Sequence, residues 1–111
     1  MKVLILAITL TTGSALAEVI ECPATHQGAR LVGAGMYEGE QKEAELAGVR
    51  KRTQVGVDVE YGFNRGDVKW VACWYEPATP RWYRVSPAAI WCGLRERTER
   101  PGQVTAVVRC K

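Results

Sequence analysis

Apolar and polar residues alternate along much of this chain. In Gln54–Phe63, Val55, Val57, Val59, Tyr61 and Phe63 face one way, while Gln54, Gly56, Asp58, Glu60 and Gly62 face the other. A period of two with one wet face predicts a strand. Asn64-Arg65-Gly66-Asp67 is a turn signal, and Val68–Tyr75 beyond it predicts the partner strand of a hairpin. That partner is apolar on both faces, which places it centrally in a sheet. Shorter strands are predicted at Arg30–Tyr37, Arg81–Val85, Ile90–Arg95 and Gln103–Cys110, the last two pairing about a turn at Arg100-Pro101-Gly102. Gly33 and Gly35 point to a bulge or a close backbone approach. Glu40–Ala47 alone reads as a helix: it holds Glu, Gln, Lys, Ala and Leu, with Gly48 placed to stop it. The expected fold is mainly β (α+β), a small antiparallel sheet of about five or six strands with one short helix. The pattern leaves strand order open.

The first seventeen residues break this pattern. Lys2 precedes the apolar run Val3–Leu10, Gly13 and Ser14 interrupt it, and Ala15-Leu16-Ala17 is a small-x-small cleavage site. This predicts a signal peptide over 1–17. The apolar run is far short of the roughly 20 residues of a membrane span, and no later segment reaches that length. Residues 18–111 then form one domain of 94 residues, periplasmic or secreted, with no membrane insertion of the mature chain.

All four cysteines, Cys22, Cys73, Cys92 and Cys110, lie in that domain. An even count in a small exported chain predicts two disulfides. Folding the chain at Pro101 brings Cys92 opposite Cys110, which leaves Cys22 for Cys73. Each closure is worth about 2–4 kcal/mol. There is no C-x-x-C pair, so neither a zinc site nor a thioredoxin-like motif is expected, and no cofactor or metal is assigned.

Charge then narrows the partners. The chain carries +3, and without Lys2 the count is 14 basic to 12 acidic side chains. That balance does not suit a nucleic-acid binder. Arg50-Lys51-Arg52 is too short a run to alter it. His26, the only histidine, stands in a polar N-terminal arm without evident partners, and Ser86 precedes Pro87 outside any nucleophile elbow. No catalytic residue is assigned. Asp58 and Glu60 share the wet face of one strand, which is ordinary for an exposed face. Arg65-Gly66-Asp67 spells an integrin-recognition tripeptide but is also ordinary turn chemistry.

The aromatic residues are the remaining candidates. Trp70, Trp74 and Tyr75 precede the Glu76–Pro80 loop, Trp82 and Tyr83 follow it, and Trp91 lies beyond. One account has them filling the core, because Phe63 is the only Phe. The other has them forming a stacking surface, with Arg81 and Arg84 beside Trp82 and Tyr83, able to hold sugar rings, peptide or another protein.

Four features together resemble a known family. They are Cys22-Pro23-Ala24-Thr25, Tyr37-Glu38-Gly39 before the acidic segment, Trp70-Val71-Ala72-Cys73-Trp74-Tyr75, and the pair Cys92 and Cys110. The pattern is similar to that of small exported four-cysteine proteins of Gram-negative bacteria. This chain departs from it in a short Cys22–Tyr37 interval and in Trp74 between Cys73 and Tyr75. That family has no assigned activity, so the resemblance implies a compartment and a four-cysteine fold and supplies no catalytic residues. The expected function is a non-catalytic binding or interaction protein of the cell envelope, whose partner is an envelope protein or a glycan. The alternative is a small periplasmic hydrolase using paired carboxylates. Oligomeric state is not legible.

Overall fold

The computed structural model describes residues 17–111. The expected signal peptide lies outside the described residues except for Ala17. Ten strands follow: β1 (Glu18–Glu21), β2 (Thr25–His26), β3 (Ala29–Glu38), β4 (Ala44–Glu45), β5 (Val49–Arg52), β6 (Gly56–Gly62), β7 (Lys69–Tyr75), β8 (Arg81–Arg84), β9 (Trp91–Arg100) and β10 (Gln103–Cys110). They form two antiparallel sheets. Sheet I has the order β1-β10-β9-β6-β5, and sheet II the order β2-β3-β7-β8 with β4 added to β3.

The mainly β expectation holds, with two corrections. No helix occurs among the described residues. Gly39 and Lys42 take left-handed φ values of 102° and 56°, and the Lys42 amide donates to the Gly39 carbonyl at 3.1 Å. That turn reverses the chain, so Ala44–Glu45 pairs with Tyr37 and Glu38. A helical segment of two turns has little stability of its own, and here the edge of β3 takes the segment instead. The second correction is that one sheet of five or six strands becomes two. β6 and β7 do not pair. β6 lies between β5 and β9, and β7 lies between β3 and β8. The turn at residues 64–67 therefore carries the chain from one sheet to the other. It is held by the Asn64 amide donating to Asp67 Oδ2 at 2.8 Å, with Gly66 at φ 98°. The interior placement of β7 and the β9–β10 hairpin are as expected.

The sheets share one core. Ile20, Val57, Val59, Tyr61, Leu94, Ala106 and Val108 come from sheet I, and Leu31, Ala34, Met36, Val71 and Tyr75 from sheet II. All four cysteines belong to the same cluster. Cys92 and Cys110 are directly opposed on β9 and β10, with Cα atoms 4.1 Å apart. Cys22, which extends β1 by donating its amide to the Ala106 carbonyl, is bonded to Cys73 on β7. One bridge thus ties neighbouring strands of sheet I, and the other ties sheet I to sheet II. The N-terminal arm is fixed further by the Tyr75 hydroxyl, which donates to the Pro23 carbonyl at 2.7 Å. Its half-buried His26 lies 5.2 Å from the Tyr75 ring.

Lys69 is fully buried at the end of β7. Its ammonium donates to the Asp67 carbonyl at 2.9 Å and to the Pro87 carbonyl at 3.4 Å, and lies 5.1 Å from the Phe63 ring. A buried ammonium held by carbonyls ties the 64–67 turn to the 85–87 loop, and burial pushes its pKa down.

The two bridges close loops of different size, with separations of 51 and 18 residues. Loop-closure entropy assigns them about 4 and about 3 kcal/mol. The Cys92–Cys110 pair also sits in a ladder that hydrogen bonds already hold. Urea unfolding should therefore show a larger loss of midpoint for Cys22→Ala/Cys73→Ala than for Cys92→Ala/Cys110→Ala. An equal or reversed order would contradict the inter-sheet role.

Candidate functional site

Strand parity puts Cys73, Val71 and Tyr75 of β7 against the core, so Trp70, Ala72 and Trp74 face outward. Their register partners on β3 are Tyr37, Gly35 and Gly33, and on β8 Arg84 lies opposite Trp70 and Trp82 opposite Ala72. Trp70, Trp74, Trp82 and Tyr37 are all half-buried. Ala72, at the centre of this outer face, is nevertheless fully buried. The rings around it make a continuous cover.

Each ring is held differently. Trp70 Nε1 donates to the Gly39 carbonyl at 2.9 Å. The Trp70 ring carries Lys42 Nζ at 4.4 Å and the Arg84 guanidinium at 5.2 Å. Trp82 meets Tyr37 edge to face, with centroids 5.0 Å apart, and Lys42 Nζ stands 5.4 Å from it. These are favourable geometries for a quadrupole. Trp74 lies across the backbone of β3. A Cβ built on Gly35 would stand 2.7 Å from its ring, and one on Gly33 would stand 3.3 Å from it. The β3–β7 register also shifts between Leu31 and Gly33. Both features that the glycines imply, a bulge and a close approach, are therefore present. Arg84 and Glu40 form an exposed ion pair at 3.5 Å, a contact of little energetic weight.

The four residues expected to form a binding surface divide two and two. Trp82 and Arg84 belong to the outer face with Trp70, Trp74 and Tyr37. Arg81 and Tyr83 fall on the opposite side of β8: Tyr83 packs against the core, and the Arg81 guanidinium lies 5.5 Å from its ring. Tyr37 and Lys42 were not anticipated. Alternation at 70, 72 and 74 is the signal for the outward tryptophans, but Lys42 reaches them only because its segment turns rather than coils. Trp91 lies on the other sheet, packed on Gly93 with Lys111 Nζ 5.2 Å away.

Beyond Trp74 the aromatic face runs into a groove. β3 pairs with β2 at residues 29–30 and with β4 at 37–38, which leaves its edge open between them. The Ala34 amide there donates to Glu96 Oε1, reaching from β9, at 3.4 Å. A cavity of about 220 Å³ at this edge is lined by Gly33, Gly35, Glu45, Arg50, Tyr61, Trp74 and Glu96, among others. A second cavity of about 470 Å³ adjoins it through Arg50 and Glu96 and continues past Arg52, Thr53 and Thr98. The Tyr61 phenol is pushed up to about 12, by burial first, with Glu45 and Glu96 adding and Arg50 opposing. Burial, then Glu45, also raises Tyr37.

Asp58 and Glu60 take no part in this groove. They face outward from sheet I, where Asp58 Oδ1 lies 3.0 Å from Arg97 Nη2 and 3.9 Å from Arg95 Nε. Glu45 and Glu96, from segments 51 residues apart in the chain, share the groove's cavity, whereas Asp58 and Glu60 line a separate cavity of about 230 Å³ on sheet I with Trp91 and Arg95. The Arg65-Gly66-Asp67 tripeptide is a turn whose Asp67 carboxylate accepts from its own backbone.

No protein-family model, curated protein or solved structure matches this chain.

Two outcomes are expected. Gly35→Val should displace Trp74 and lower stability by about 1–3 kcal/mol, the usual cost of forced repacking. An unchanged denaturation midpoint together with an unchanged Trp74 indole resonance would contradict the close approach. The raised tyrosines are neutral in both states below pH 10. Above it the unfolded chain loses these protons first, so their stabilisation falls as pH rises through the folded pKa. Lys69 acts in the opposite direction. Comparing wild type with Tyr61→Phe isolates one group: its share should fall by about 2 kcal/mol between pH 10 and 12. A constant difference across that range in denaturant titrations would contradict the burial of Tyr61.

Proposed function

We propose that this protein is an exported, non-catalytic binding protein of the cell envelope. On this reading it holds its partner on the outer face of sheet II. The observation that carries the reading is the placement of the tryptophans. None of the four is among the buried residues, although the core is filled by Tyr75, Met36, valines and cystines. Three of them share one face with Tyr37, and Lys42 and Arg84 lie over the rings. Half-exposed Trp and Tyr flanked by Arg is the composition of binding hot spots. Arg81 and Tyr83 play no direct part in this reading.

Export rests on the signal-type N-terminal segment and fits two disulfides in a small domain. The resemblance to small four-cysteine proteins of Gram-negative bacteria supports the same compartment. The partner is envelope material, a protein or a glycan, and no nucleic acid.

One observation favours a second reading. Glu45 and Glu96 line a single cavity with Tyr61 and Arg50. Paired carboxylates across a cleft are the machinery of glycoside hydrolysis. A catalytic pair would release cut product from an oligosaccharide, whereas a binding groove leaves it whole.

Capture from periplasmic extract tests the first reading. Trp82→Ala and Arg84→Gln should each reduce recovery of a specific partner at least fivefold while the fold is retained. Equal recovery by wild type and both variants would remove the outer face from consideration.

A further inference from the structure

We infer that the groove beyond Trp74 is a saccharide site, which takes an oligosaccharide alternating a neutral sugar with an acid-bearing one. This inference rests on the binding reading above and gives it a ligand class and a location.

The first observation is the state of the rings. Trp70 and Trp82 already carry cations of the chain itself, Lys42 and Arg84. Trp74 meets the Tyr37 hydroxyl through a side-chain hydrogen bond, but no cation and no second ring stacks on its face among the described residues. The backbone of Gly33 and Gly35 supports one side of its ring, and the ring lines an open cavity. A flat indole on a rigid strand is a stacking platform, and a pyranose has the matching feature: one face composed of C–H groups. Dispersion and the ring quadrupole favour that contact.

The second observation is the polar set around the platform. Glu45 and Glu96 are acceptors for neighbouring sugar hydroxyls, while Arg50 and the protonated Tyr61 hydroxyl are donors. Few binding sites need more than an apolar platform and a small number of placed polar groups. One Glu96 oxygen is held by the Ala34 amide, which orients the carboxylate. The two carboxylates outnumber Arg50, so this part of the groove carries one net negative charge and favours a neutral ring over an acid-bearing one.

The third observation is the asymmetry of the groove. The cavity that adjoins through Arg50 and Glu96 brings in Arg52, and with it a positive end. β5 is an edge strand, and pairing sets Arg50 and Arg52 opposite the inward-facing Val59 and Val57. Inward charges on an edge discourage pairing with another chain. In this groove they also offer guanidinium forks to a carboxylate on the next sugar unit. The smaller cavity holds about one ring, and the two together reach the roughly 300–1,000 Å³ of ligand sites.

The test is a titration of the folded, disulfide-bonded protein, following all four indole N–H resonances by NMR. The probes are hyaluronan hexasaccharide, which alternates a neutral amino sugar with a uronic acid, and the neutral hexamer of N-acetylglucosamine. The Trp74 resonance should shift with the first probe, with affinity at least fivefold above that for the second. Arg52→Gln, an exposed change, should bring the two affinities together, and Glu45→Gln should weaken both at least threefold. No Trp74 shift with either probe, or shifts confined to Trp91, would overturn the inference. If Trp74 stays silent while a captured envelope protein shifts Trp82, the saccharide inference fails and the binding reading stands. If no probe and no captured partner shifts any of the three outer-face tryptophans, both fail.

Discussion

Cys22 and Cys73 join two sheets that otherwise meet through one small shared core. The inner faces supply mostly Val, Ala and Leu, with one Met, one Ile and the tyrosines Tyr61 and Tyr75. Domains of this size bury only about 60–65% of their unfolded surface, so packing alone leaves a thin margin. A covalent link between β7 and the end of β1 fixes the separation and relative placement of the sheets. Every outward feature of sheet II inherits that placement. Glu96 of β9 reaches the Ala34 amide of β3 across the two sheets, at the edge where the groove lies.

The same economy explains the tryptophans. Cystine and valine suffice to fill the interior, and Tyr75 and Tyr61 supply its bulk. The large rings are therefore not needed inside. On β7 the alternation of Trp70, Ala72 and Trp74 is an outward stripe, and the small residue in its middle lets the rings close over the sheet. On β3 the outward positions opposite Trp74 and Ala72 are Gly33 and Gly35, so Trp74 comes to rest on backbone. Chain reversal at Gly39–Lys42 completes the arrangement, because it delivers Lys42 to two of the rings and Glu45 to the groove.

Much of this was legible in the sequence, and the failures have physical reasons. Period-two patterning located β6, a run apolar on both faces located β7, short strands between turn signals located β3, β8, β9 and β10, and the turn at Pro101 located the Cys92–Cys110 bridge. Patterning is local, however, and the choice between pairing across a turn and crossing to another sheet is not. Residues 64–67 have turn chemistry under both outcomes, and so β6 and β7 were read as a hairpin. Helix propensity in Glu40–Ala47 was real but worth little over two turns against the open edge of β3. The short strands β1, β2, β4 and β5 exist through their partners and carry no pattern of their own. At the site, Arg81, Trp82, Tyr83 and Arg84 read as one cluster, of which Trp82 and Arg84 share the outer face. Arg81 and Tyr83 were grouped with them by adjacency, although neighbouring residues on a strand face opposite ways. Glu45 and Glu96 meet only through tertiary structure, which no spacing announces.

The tryptophans of sheet II form a half-exposed outer surface above a core made of smaller side chains and cystines. Hydroxyl-radical footprinting of the native, oxidised protein tests it in one measurement, with Met36 as the internal standard for burial. Methionine is intrinsically among the most reactive residues, and Met36 is fully buried here. Trp70, Trp74 and Trp82 should be modified well before Met36. Modification of Met36 ahead of all three tryptophans would place the rings inside the protein and contradict it.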